Sequence, residues 1–136
     1  MTERVIDASV LARALTGKDS AAAALRLRLQ GIDCHAPHLI DAELGNVLRR
    51  QTRAGAITSR QAIAALRGAN DVIDYRYRHA GALAELAWTW RDNLSFYDAL
   101  YVALAVRLAV PLLTGDRRLS EAPGLPASIE LICPRG

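Results

Sequence analysis

Short apolar runs alternate along this chain with longer stretches whose apolar residues recur at helical spacing. Arg4-Val5-Ile6-Asp7 reads as a short buried strand, and Ala8 to Leu15 continue as a helix with Ser9 available to cap it. After a break at Thr16 to Ser20, Ala21 to Gln30 form a second helix that Gly31 ends. Ile32 to Ala36 make a second strand, stopped by Pro37. From His38 to Arg53, Leu39, Ile40, Leu44, Val47 and Leu48 mark one helical face, and Gly55 closes the run. Thr58 or Ser59 caps the next helix, which passes Ile63 and Leu66 towards Ala69 and breaks near Asn70 and Asp71. Val72 to Tyr77, β-branched and aromatic in near alternation, suit an edge strand. Ala80 to Trp90 follow as a helix with Leu83, Leu86 and Ala87 on one face, and Arg91 to Ser95 turn. Asp98 to Ala109 are apolar almost all round, which predicts a buried central helix. Pro111 to Thr114 form a fourth strand ended by Gly115 and Asp116, and Ile129 to Cys133 a final one.

Strands alternating with helices predict a three-layer α/β/α domain, with a central parallel sheet of four to five strands and right-handed crossovers. At 136 residues the chain is expected to fold as one domain, 1–136. No apolar run approaches the ~20 residues that span a bilayer. Met1 to Arg4 lead straight into the first strand, which does not read as a signal peptide, so no membrane association and a cytoplasmic location are expected.

Composition adds little until it meets the topology. Net charge is +3, and Lys18 is the only lysine among the cationic residues. The sign suits a polyanionic partner, and arginine suits bidentate phosphate contact. Cys34 and Cys133 lie far apart in apolar contexts and read as buried thiols, with no metal motif or disulfide framework.

Ligand chemistry in parallel α/β folds gathers at the carboxyl ends of the strands. Asp7 and Asp116 end strands, and Glu43 opens a helix that follows one. The helix begun by Asp98 precedes the strand that finishes at Asp116, so it must start at that same edge. Clustered carboxylates raise one another's pKa and need a counter-charge. A hard divalent cation such as Mg²⁺ or Mn²⁺ supplies it and can promote hydrolysis of a phosphodiester. Each acid also has a plain alternative role. Asp7 and Asp116 could cap helices, while Glu43 and Asp98 could complement helix dipoles, and Ser95 with Asp98 forms an S-x-x-D capping pattern.

Four blocks of the chain together resemble a known family. They are Val5-Ile6-Asp7-Ala8-Ser9-Val10-Leu11, Pro37 followed by Glu43-Leu44-Gly45-Asn46-Val47-Leu48, Tyr97-Asp98-Ala99-Leu100-Tyr101-Val102-Ala103-Leu104-Ala105, and Leu113-Thr114-Gly115-Asp116. These look like the successive motifs of PIN-domain nucleases, most similar to the VapC toxins of bacterial toxin-antitoxin pairs. The resemblance implies a Mg²⁺ or Mn²⁺ dependent endoribonuclease that cuts structured RNA, often tRNA or rRNA, leaving a 5′-phosphate. It further implies a homodimer neutralised by a small antitoxin, whose C-terminal segment can push a basic side chain into the acidic site. Carried over by position, Asp7, Glu43, Asp98 and Asp116 match the acidic quartet, with Ser9, Asn46 and Thr114 as supporting polar residues. Where some relatives carry a further acid, Arg117 and Arg118 stand here, which leaves open whether one or two ions bind.

On this reading Asp7, Asp98 and Asp116 take the metal, and Glu43 either joins them or orients the attacking water. Arg117 and Arg118 are candidates for RNA phosphate contact, and Arg49, Arg50 and Arg53 form a basic helical face. His35, His38 and His79 lack zinc-site spacing. Trp88, Trp90, Tyr75 and Tyr77 could stack bases or fill cores. One alternative is a PIN-like module that binds RNA or protein without catalysis. An aspartyl phosphatase would want an acid at position 9, where serine stands.

Overall fold

Five strands run parallel to one another in the computed structural model, which describes residues 2–132. They are β1 (Glu3–Ile6), β2 (Asp33–Pro37), β3 (Tyr75–Tyr77), β4 (Leu112–Thr114) and β5 (Ile129–Leu131), in the spatial order β3-β2-β1-β4-β5. Val5 pairs with His35 on one side and Leu112 on the other, so β1 is the middle of the sheet. Val5, Ile6, Leu112 and Leu113 have no exposed surface, as expected of strands covered on both faces. From β1 the chain steps outward to β2 and β3, then returns to place β4 on the other side of β1. This reversal makes the carboxyl ends of β1 and β4 a topological switch point, where a crevice opens between diverging connections.

The connections are α1 (Ala8–Thr16), α2 (Ser20–Gln30), α3 (Leu39–Arg53), α4 (Ser59–Val72), α5 (Ala82–Ala87), α6 (Phe96–Leu108) and α7 (Arg117–Ser120). Helices α1, α3 and α4 pack on one another with α2 beside α1, while α5 pairs with α6 and α6 lies against β1, β2 and β4. That is the expected three-layer order. The central helix is as buried as its composition predicts, for every residue from Ala99 to Ala105 belongs to the core.

Several boundaries differ from the sequence reading. Helix α4 runs on to Val72 and shortens β3 to three residues, because Ala65, Ala69 and Ile73 keep burying one continuous helical stripe past Asn70 and Asp71. The helix expected over Ala80 to Trp90 starts at Ala82, after Gly81 at φ 69°, and tightens into a 3₁₀ turn over Trp88–Trp90. Helix α6 opens two residues before Asp98, because the Ser95 side chain accepts the Asp98 N–H at 3.1 Å. Asp7 caps α1, so Ser9 is free for another role. Cys34 is fully buried, as expected, and Cys133 lies outside the described residues. No helix among the described residues is long and apolar enough to cross a membrane.

Candidate active site

Asp7 ends β1 and turns the chain into α1, and its carboxylate is held at both oxygens. Oδ1 accepts the Val10 N–H at 3.1 Å and the Ser9 hydroxyl at 2.6 Å. Oδ2 accepts the Thr114 hydroxyl from β4. Thr114 Oγ1 accepts in turn the backbone N–H of Asp116 at 3.0 Å, and Ser9 Oγ accepts that of Gly115 at 2.9 Å. The ends of β1 and β4 are thus stitched together by two hydroxyls. Gly115 packs closely here: a Cβ on it would sit 3.1 Å from Ser9 Oγ, so the hydroxyl would have to shift by a few tenths of an ångström.

Glu43 lies in the second turn of α3, half-buried, and Oε1 accepts the Tyr101 hydroxyl at 2.6 Å. Tyr101 is 1% exposed, so this bond fixes Glu43 from inside the core. Asp98, in the first turn of α6, is half-buried and has no side-chain bond to a cation among the described residues. Asp116 caps α7 by accepting the Arg118 N–H at 2.9 Å, with the Arg118 guanidinium 3.8 Å away.

The charges of these groups act on one another. Burial first, then the Asp98 charge, pushes the Asp7 carboxyl upward against the pull of Ser9, Thr114 and Val10. Burial also raises Glu43, opposed by Tyr101 and reinforced by Asp98 and Asp7. For Asp98, burial leads and the Asp116 charge adds to it, while Ser95 and Arg118 pull the other way. The Tyr101 hydroxyl is pushed far up, by burial and by Glu43, and stays a hydrogen-bond donor at any physiological pH. All four acids therefore belong to one electrostatic group at one sheet edge, and the capping roles of Asp7 and Asp116 coexist with that grouping.

The oxygens left over define what the edge can hold. Oε2 of Glu43 and Oδ2 of Asp116 take no protein donor among the hydrogen bonds of the described residues, the Asp98 carboxylate has only the Ser95 hydroxyl beside it, and Oδ2 of Asp7 keeps one lone pair free beyond Thr114. These are hard oxygen donors. Among the described residues no three carboxylate, imidazole or thiol groups already converge into a cage for an ion. An ion that keeps most of its own waters fits such a set better than one needing a full protein shell.

Around the edge, Asn46 is exposed on α3 and takes no part in the bonds that fix the acids. A groove of about 960 Å³ opens beside Ser9, Gly115 and Arg117 and continues past Val47 to Arg13 and Lys18. Among the described residues the buried Gln51 Oε1, at its wall, has no hydrogen-bond partner. His35 has its ring engaged by structure, bonding the Tyr77 hydroxyl at 2.7 Å and Glu3 at 2.8 Å. The sequence reading gave Tyr101 no role. The only available signal was its place one turn after Tyr97-Asp98 in an otherwise apolar helix, where a buried hydroxyl must find a partner.

The family model for the PIN domain matches residues 4–125. The chain is 51% identical over 132 residues to ribonuclease VapC1 of Mycobacterium tuberculosis, covering 97% of this chain and 99% of that protein. Among solved structures, VapBC2 of Rickettsia felis, bound to a DNA fragment from its promoter, superposes with TM-score 0.67 at 13% identity, covering 96% of this chain and 98% of that one. VapC20 of Mycobacterium tuberculosis, a toxin that cleaves the sarcin-ricin loop, gives TM-score 0.66 at 18% identity over 85% and 92%. With its acids, its hydroxyl stitches and its parallel sheet in this arrangement, the chain belongs to the PIN domain family, among the VapC ribonucleases.

Proposed function

We propose that this protein is a divalent-metal-dependent endoribonuclease, the toxin of a toxin-antitoxin pair. The observation that carries the reading is the charge imbalance at the rim: Asp7, Glu43 and Asp98 are all pushed toward protonation by burial and by one another. Among the described residues the one guanidinium paired at the rim, Arg118, is well exposed, lies 3.8 Å from Asp116 and does not bring Asp98 back to its ordinary range. Mg²⁺ or Mn²⁺ would be held by Asp98, Asp116 and the free oxygens of Asp7 and Glu43, where it supplies positive charge to the reacting phosphate and acidifies an attacking water.

The chain's own residues divide the remaining work. Ser9 and Thr114 fix Asp7 in one orientation, and Tyr101 fixes one oxygen of Glu43 so that the other faces the rim. Glu43 is then placed to orient the water and accept its proton. Arg117 and Arg118, both well exposed, stand where phosphates flanking the cut would pass. The substrate is RNA, by analogy with the ribonuclease relatives, and structured tRNA or rRNA is the class to test first.

An antitoxin is the proposed partner, and its segment has a place to lie in the groove beside Ser9 and Arg117. A homodimer is the proposed assembly. Purified protein incubated with structured RNA tests the central reading. Cleavage should need Mg²⁺ or Mn²⁺, stop with a chelator, and vanish in Asp98→Asn. Cleavage that persists in Asp98→Asn, or none under any metal, would refute it.

A further inference from the structure

Trp88 and Trp90 stand two residues apart and meet opposite environments. Trp90 is 7% exposed and belongs to the core, whereas Trp88 is 59% exposed. Trp88 is nonetheless fixed. Its ring packs edge-to-face on Phe96, with centroids 6.5 Å apart and an interplanar angle of 64°. The Arg91 guanidinium lies 5.4 Å from its centroid and also donates to the Trp88 carbonyl at 3.1 Å. Among the described residues Arg91 forms no ion pair, so its charge is available. Phe96 is 40% exposed and Tyr97 58%.

These residues gather at the N-terminal end of α6, the end that carries Asp98. Tyr97 precedes Tyr101 by one helical turn on the same face, and Tyr101 holds Glu43. An oriented indole, an adjoining phenyl ring and an unpaired guanidinium next to a phosphate-cleaving rim match one kind of occupant. Unpaired nucleotides offer a π face to the ring and a phosphate to the arginine, and stacking of this kind fixes a base without hydrogen-bond readout. A purely apolar protein partner would leave the Arg91 charge buried and unsatisfied.

We propose that Trp88, Phe96 and Arg91 form a stacking platform for an unpaired base flanking the phosphodiester that is cut. The platform rests on the nuclease reading above.

The test uses the full chain carrying Asp98→Asn, so that RNA is bound without being cut. Adding Trp88→Ala should weaken binding of an unpaired RNA oligonucleotide roughly tenfold. Trp88→Phe should retain most of the affinity, and Leu27→Ala, which removes an exposed apolar side chain on α2, should leave it unchanged. The oligonucleotide should also quench tryptophan fluorescence, and Trp88→Ala should lose that quenching. Equal affinity in Trp88→Ala would overturn the platform. So would a Trp88→Ala protein that changes only its sedimentation from dimer to monomer, which would give this face to a second copy. In otherwise wild-type protein, Trp88→Ala cleaving RNA with unchanged KM would sink the platform and leave the nuclease standing. Quenching that Trp88→Ala abolishes, without cleavage under any metal, would sink the nuclease and with it the place beside a cut, leaving only a stacked base.

Discussion

Two sets of carboxylates in this molecule are treated in opposite ways. Glu130, on β5, is gripped by Arg4 at 3.0 Å and Arg28 at 2.5 Å. Burial works against its ionisation, yet the two guanidiniums hold it below the usual range. Asp19 is likewise lowered, by the Ala22 N–H and by Arg13. At the carboxyl edge of the sheet, Asp7, Glu43 and Asp98 are all raised, and neutral hydroxyls rather than cations hold the first two. Two arginines close on Glu130, whereas among the described residues the rim pairs only with the exposed Arg118, 3.8 Å from Asp116. A hydroxyl orients a carboxylate without cancelling its charge, so the edge keeps its demand for a cation from outside.

The largest effect expected from this contrast is on catalysis. Asp98→Asn should lower the RNA cleavage rate by at least about a hundredfold. The same change removes a like charge, so in metal-free protein at neutral pH it should raise stability, by about 1 kcal/mol in a denaturant titration. A metal-free Asp98→Asn protein less stable than wild type would break the comparison.

The hydroxyls come next. Thr114→Val and Tyr101→Phe each remove a donor while keeping shape, and each should weaken metal affinity or activity about 10 to 100-fold. Glu130→Gln at the paired site should leave cleavage unchanged. Comparing metal-binding isotherms of the three variants separates orientation of the rim from general destabilisation.

The pH dependence should also divide the two sets. A carboxyl raised in the folded state binds more protons there than when unfolded, so metal-free protein should gain stability as pH falls from neutral through those raised values. Glu130 and Asp19 are lowered, so their contribution is present above the ordinary carboxylate value and is lost as pH falls through their lowered ones. Counting these groups alone, metal-free stability should therefore peak on the acid side of neutral, near the ordinary carboxylate range at about pH 4. Thermal melts in chelator across pH would read it, and saturating metal should flatten the neutral side. The smallest effect is that of Glu130→Gln on stability, about 1 kcal/mol or less for a partly exposed pair.

Much of this was legible in the sequence because it depended on chain direction alone. Asp7 and Asp116 follow strands, and Asp98 opens a helix that must return to the same edge, so a parallel sheet brings them together whatever the details of packing. The exact ends of α4 and α6 were not legible, since burial of Ala65, Ala69 and Ile73 outweighed the polar Asn70 and Asp71, and a Ser95 cap lengthened α6. Tyr101 was not legible either, for its partner Glu43 is 58 residues away and only the packed core brings them together. Trp88 and Trp90 separate into surface and core because a 3₁₀ turn replaces the end of α5, a change of period that apolar spacing did not signal.

Calorimetric titration of Mn²⁺ into metal-free protein at mildly acidic pH, run in two buffers of different ionisation heat, asks directly whether the rim is built for a cation. Binding should release protons from the raised carboxyls, raise the melting temperature, and be lost in Asp98→Asn. Millimolar Mn²⁺ and Mg²⁺ that produce neither heat nor a shift in melting, or that bind Asp98→Asn equally well, would contradict it.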